Sequence, residues 1–227
     1  MKFYLFLMIL IAFFFNCSPS LVYSPTVYPA SKPLDKGNIQ AGASFSMLAE
    51  ARPDEIGYKT SEGAEAFLRV ALSNSSTAQI KWWRDISDHN FQNNSRSGLS
   101  FSSIHKLVYQ ENSYYLAIMP QFALLFDNTD VEGGGGYFFL ILSSAGKKLL
   151  NPYLAVTPLL GIRDIYPDEY NNRKQWGWGA MGNLGVTAQL TKIIRLNIEV
   201  AGIYQINKFD RRTDSIFSPN IGLSAIF

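Results

Sequence analysis

The chain has 227 residues, one cysteine, a formal net charge of +2 and 14% aromatic residues. A lone cysteine excludes an intramolecular disulfide framework. Scattered basic residues without interleaved aromatics leave no footprint for nucleic acid. Once an export segment is set aside, about 210 residues remain, enough for one domain and short for two.

Residues 1–16 read as a signal peptide, with Lys2 followed by the apolar run Phe3–Phe15. That run falls short of the ~18–20 residues that a membrane-spanning helix needs, and no later stretch reaches that length. Cys17 comes next. Its position resembles the lipobox of bacterial lipoproteins, where signal peptidase II cleaves before a cysteine that carries lipid. Phe14, Phe15 and Asn16 stand where that box has leucine, a small residue and glycine or alanine. The resemblance implies lipidation at Cys17. Residues 17–37 contain Pro19, Pro25, Pro29 and Pro33, and proline continues neither a helix nor a sheet ladder. They read as an extended, lipid-anchored tether, leaving 38–227 as the folded domain.

Within that domain, strand-like stretches fall at 39–51, 64–73, 77–85, 98–109, 113–126, 136–144, 152–164, 176–190, 193–206 and 216–227. Side chains alternate faces along a strand, and the alternation is clearest late in the chain. Trp178, Ala180, Leu184 and Val186 oppose Gly179, Met181, Asn183, Gly185 and Thr187. Ile194, Leu196, Ile198 and Val200 oppose Arg195, Asn197 and Glu199. Leu99–Tyr109 changes phase around Ser102–Ile104, as a bulge would make it. Tyr137–Leu142 is apolar on both faces, and Trp82 and Trp83 must point opposite ways.

The connections alternate. Arg52–Gly63, Ile86–Ser97, Asp127–Gly135, Ile165–Gln175 and Asn207–Ser215 are long, whereas Asn74–Ser76, Gln110–Asn112, Ala145–Asn151 and Thr191–Lys192 are short. Short turns at one rim and long loops at the other are the pattern of a transmembrane barrel. Aromatics near strand ends (Tyr109, Tyr114, Phe126, Trp176, Trp178, Tyr204) fit an interfacial girdle. The fold class expected is therefore all-β: an antiparallel up-and-down barrel of about 8–10 strands, preceded by a signal peptide and a Pro-rich tether.

The last eight residues, Asn220-Ile221-Gly222-Leu223-Ser224-Ala225-Ile226-Phe227, resemble the C-terminal β-signal of bacterial outer-membrane proteins. Asn220, Gly222 and Phe227 carry the match, which implies recognition by the barrel-assembly machinery. More loosely, Tyr23–Met47 is similar to small uncharacterised lipoproteins of Gram-negative groups such as Bacteroidetes and spirochaetes. Together these resemblances imply the bacterial outer membrane, with the lipid bilayer as partner and the N-terminus on the periplasmic side.

A barrel this narrow is filled by its own side chains. Glu65, Arg69, Lys81, Lys106, Arg163, Arg195 and Glu199 are the candidate lumen charges, expected to form an ion-pair network that plugs it. No catalytic set stands out, and no cofactor or metal is expected. His89 in Asp85-Ile-Ser-Asp88-His89 reads as a solvated loop histidine. His105 lies two residues after Ser103 without a third catalytic member. Asp127, Asp130 and Glu132 read as an acidic loop tip, and Gly133–Gly136 as a flexible turn without a phosphate-loop lysine. The expected role is non-catalytic: structural, adhesive or ligand-contacting through the long loops. A lipid-tethered soluble periplasmic barrel holding a small apolar ligand, or an outer-membrane hydrolase, are the competing readings.

Overall fold

The computed structural model describes residues 26–27, 34–51, 58–86, 96–110, 113–127, 130–144, 149–164, 174–207 and 213–227. Ten strands form: β1 (Ile39–Ala51), β2 (Tyr58–Ala71), β3 (Ser76–Asp85), β4 (Arg96–Gln110), β5 (Tyr114–Asp127), β6 (Asp130–Ser144), β7 (Leu150–Asp164), β8 (Lys174–Gln189), β9 (Ile194–Asn207) and β10 (Thr213–Ile226). Each pairs antiparallel with its chain neighbours, and β1 pairs with β10, so the sheet is a closed barrel with no free edge. Closure leaves every central ladder satisfied, which a strand-built membrane span requires. Among the described residues no helix is long and apolar enough to cross a membrane.

The seam is fastened at both chain ends. Phe227 N–H donates to Ile39 C=O (2.8 Å) and Ile39 N–H returns the bond to Phe227 C=O (3.0 Å). Just before β1 the chain turns at Gly37, whose φ of 87° suits glycine. Gly37 N–H meets Ala71 C=O at 3.3 Å, which fixes this turn at the rim formed by the short connections.

Two strands run further than their sequence pattern indicates. β2 begins at Tyr58 rather than residue 64, and β6 at Asp130 rather than 136. The glycines Gly133–Gly136, expected as a turn, lie instead within β6, paired to Leu125, Leu124, Ala123 and Phe122 of β5. Pairing on both sides satisfies their backbone, and glycine admits a close approach there: a Cβ at Gly134 would stand 3.1 Å from the Ala123 carbonyl oxygen. The β5–β6 connection is thereby reduced to residues 128–129, and Asp127 sits opposite Asp130 in the ladder. Of the other connections at that rim, 86–95 and 165–173 are long, while 52–57 and 208–212 have six and five residues against three to five at the opposite rim. The bulge in β4 lies between Lys106 and Val108, not at Ser102–Ile104.

Burial follows the strand period. On β3, Thr77, Gln79, Lys81 and Trp83 are buried while Ile80, Trp82 and Arg84 face outward. The outward set around the wall includes Phe45, Leu68, Phe101, Phe138, Leu154, Leu184, Ile198 and Leu223, all exposed. The inward set holds Glu65, Arg69, Lys81 and Glu199, each at most 2% exposed. Water-soluble proteins almost never bury such charges while leaving a continuous apolar belt outside.

Candidate functional site: the lumen

The lumen has two sectors. An apolar cluster on β4 to β9 contains Ile104, Met119, Phe139, Leu159, Met181 and Ile203. Tyr137–Leu142 is apolar on both faces because β6 exposes Phe138 and Leu140 on the outer wall and turns Phe139 and Ile141 into this cluster. The interior is thus less polar than the glycine-rich face of β8 suggests. The opposite sector, on β1 to β3 and β8 to β10, carries the charges.

At its centre lies part of the N-terminal segment. Thr26 and Val27 are each 1% exposed, bound between β2, β3 and β9. The Thr26 hydroxyl donates to Glu65 Oε1. Lys81 Nζ donates to the Thr26 carbonyl oxygen at 2.6 Å. The Val27 N–H is shared between the two carboxylate oxygens of Glu199, at 3.0 and 3.2 Å. The Val27 side chain packs into the apolar cluster. One peptide unit therefore has its donor on a carboxylate and its acceptor on an ammonium, both charge-assisted hydrogen bonds in a dry interior.

The wall orients these groups. Glu199 also accepts from Tyr153 Oη at 2.5 Å and from Asn183 Nδ2 at 2.8 Å. Tyr153 reaches it because position 185 lacks a side chain: a Cβ there would collide with the tyrosine ring and hydroxyl and stand 2.8 Å from the Ile198 carbonyl oxygen. Gly42 does the same for Phe67, whose Cζ would lie 2.6 Å from an added Cβ. Phe67 and Tyr153 then meet across the interior. Glu65 accepts from Ser44 at 3.3 Å and lies 3.9 Å from Lys81, and Arg69 donates to Gln40 Oε1 at 2.7 Å.

Of the seven charges expected in the lumen, the structure brings Glu65, Lys81 and Glu199 together around Thr26–Val27. It places Arg69 below them and the buried Arg195 at the short-turn end of β9. Lys106 belongs to the rim, its ammonium 4.9 Å from the centroid of the exposed Tyr109 ring. Arg163 is on β7 opposite Gly133 and Gln175, with its side chain outside the described residues. Ion pairing is one part of the filling, and hydrogen bonds to the N-terminal segment are the other. A third polar set lies beside it. Gln79, Ser102 and Gln121 share one register row across β3, β4 and β5. They and Ser100 hold buried oxygens with no protein partner, and Ser100 and Gln121 line a cavity of about 10 Å³, room for a single water.

Thr26, Val27 and Tyr153 were not among the residues that the sequence singles out, and Asn183 stood there only as a polar-face position of its strand. The local signal is thin: Val27 and Leu34, both buried, are two of several apolar residues (with Leu21, Val22, Tyr23 and Tyr28) in a proline-rich stretch.

The remaining candidates lie elsewhere. Asn220 and Gly222 face inward on β10, with Asn220 Nδ2 donating to the Ser218 carbonyl at 3.0 Å, while Phe227 is exposed at the short-turn rim. Ser103 and His105 lie outward on β4: Ser103 Oγ is 3.0 Å from His105 Nε2, and Ser76 Oγ is 3.3 Å from Nδ1. A hydroxyl thus occupies the place where a triad needs a carboxylate to stabilise the imidazolium. Among the described residues no group of acidic, histidine or cysteine side chains is arranged to hold a metal ion. Cys17 and His89 lie outside the described residues.

Two solved structures share this architecture. An outer membrane channel from Pseudomonas putida F1 aligns with a TM-score of 0.59 over 87% of this chain and 98% of its own, at 9% identity. The outer membrane protease OmpT from Escherichia coli aligns with a TM-score of 0.50 over 84% and 97%, at 10% identity. At such identity the fold is what is shared. No family model and no curated protein matches the sequence.

Proposed function

We propose that the chain is an outer-membrane β-barrel lipoprotein of a Gram-negative bacterium, exported by residues 1–16, lipidated at Cys17 and inserted by the barrel-assembly machinery. Its role is non-catalytic. It presents the connections 52–57, 87–95, 165–173 and 208–212 at one rim for structural, adhesive or ligand contact. The observation that carries this reading is the inverted burial: Leu184 is 65% and Ile198 53% exposed, while Arg69 is 0% and Lys81 1% exposed. Each large apolar side chain kept in water forgoes about 1.5–3 kcal/mol, so a belt of them is stable only against lipid. The filled lumen favours a closed barrel over an open diffusion pore. The turn at Lys36–Asn38 lies at the short-turn rim, which supports entry of the chain into the barrel from the periplasmic side.

The test is a Cys17→Ala variant exported through a cleavable signal, followed by alkaline carbonate extraction. Retention in the membrane pellet, with altered gel mobility before boiling, is expected. Recovery as a folded soluble protein would favour the periplasmic ligand-binding reading instead.

A further inference from the structure

The lumen has been built with room for something its wall does not supply. Several inward positions flanking the seam are small, Ser44 and Ser46 on β1 and Ser218, Gly222 and Ser224 on β10, alongside the larger Gln40 and Asn220, while the Phe67 ring fills the space at Gly42. Phe67, Lys81 and Tyr153 are the larger groups that reach inward from β2, β3 and β7. Thr26 and Val27 are each 1% exposed, and Leu34 is buried as well.

The wall groups that hold this segment are also satisfied without it. Glu199 keeps Tyr153 and Asn183, Glu65 keeps Ser44, and Lys81 keeps Glu65. Withdrawing the segment would hydrate these charges without leaving any of them alone.

We propose that the Glu65–Lys81–Glu199 arrangement is a binding site for an extended peptide, that Thr26–Val27 is its resident ligand, and that this ligand is a removable plug shutting an ion-conducting path through the barrel. The inference rests on the membrane reading above. The site selects a hydroxyl side chain followed by a small apolar one. Glu65 accepts from the hydroxyl, Lys81 and Glu199 take the intervening peptide unit, and Leu159, Met181 and Ile203 belong to the apolar cluster that receives the valine. The path it closes runs beside the small arc of β1 and β10. Residues 17–37 carry four prolines, which disfavour both helix and sheet ladder.

The experiment uses the full mature chain in a Cys17→Ala background, reconstituted in planar bilayers, with gel mobility before boiling as proof of folding. Thr26→Ala with Val27→Pro removes the hydroxyl and the N–H that the two carboxylates accept, and it leaves every wall residue in place. The wild-type segment should hold the barrel silent. The double variant should show bursts of unitary conductance at least tenfold more often, suppressed by a synthetic peptide of residues 18–34 added at the short-turn side. A double variant as silent as the parent, or bursts that the peptide leaves unchanged, would overturn the proposal. If the double variant does not fold, thiol labelling of a Val27→Cys chain decides. Protection from an impermeant maleimide by tenfold or more against the unfolded chain supports the seated plug, and labelling at the unfolded rate refutes it. Failure of the parent to insert into lipid at all would refute the membrane reading, which is a separate result.

Discussion

Replacing Lys81 by methionine probes the lumen most sharply, because it removes one charge while keeping the length and apolar stem of the side chain. In the folded barrel the ammonium donates to the Thr26 carbonyl at 2.6 Å and lies 3.9 Å from Glu65, with 1% of the residue exposed. Its loss leaves Glu65 and Glu199 their hydrogen bonds to the wall but no cation at the peptide unit between them. Removing one partner of a buried pair costs about 3–5 kcal/mol. Equilibrium unfolding by guanidinium in lipid vesicles should therefore show a loss in that range. Adding Glu65→Gln should recover part of it, since the second change removes one of the two buried carboxylates. The two changes should be non-additive by more than ~1 kcal/mol, as expected of groups in direct contact. A Lys81→Met loss below ~1 kcal/mol would mean that water already solvates the ammonium, and the dry clamp described above would be wrong.

Gly185→Ala should destabilise by about 1–3 kcal/mol through overpacking against Tyr153. Tyr153→Phe should cost about 1.5–3 kcal/mol for a hydrogen bond to a charged acceptor. Both break the Tyr153–Glu199 bond, so the double variant should lose less than the sum, and strict additivity in the same unfolding assay would contradict that shared cause. Purified protein should release no fatty acid from phospholipid in mixed micelles, because His105 has Ser76 rather than a carboxylate behind it. Turnover abolished by Ser103→Ala or His105→Ala would overturn the non-catalytic reading.

Much of the barrel was legible in the sequence because a strand that separates lipid from an interior writes its two faces at period two. Asn183, Asn197 and Glu199 alternate with Leu184, Ile198 and Val200, and each lies where that period puts it. The limits of β2 and β6 were not legible, because glycine carries no face and pairing with neighbours, not side-chain pattern, keeps Gly133–Gly136 in the sheet. The apolar sector was half visible: Tyr137–Leu142 shows it, but only the closed topology says that Phe139 meets Met119 and Met181 rather than solvent. The clamp was visible in part. Alternation alone gives Glu65, Lys81 and Glu199 as inward charges. Their convergence on Thr26–Val27 depends on contacts separated by 39 to 172 residues, which no local pattern encodes.

Two adjacent tryptophans report directly which face of the wall meets lipid. Trp82 is 43% exposed on the outside and Trp83 is 4% exposed on the inside. Each should be left as the sole tryptophan, with the other three changed to phenylalanine, and the protein refolded into vesicles of phospholipid brominated along the acyl chains. The inverted burial predicts strong quenching of Trp82 and little of Trp83. No quenching of either would mean that the apolar belt does not face the bilayer, and the membrane barrel would have to be abandoned.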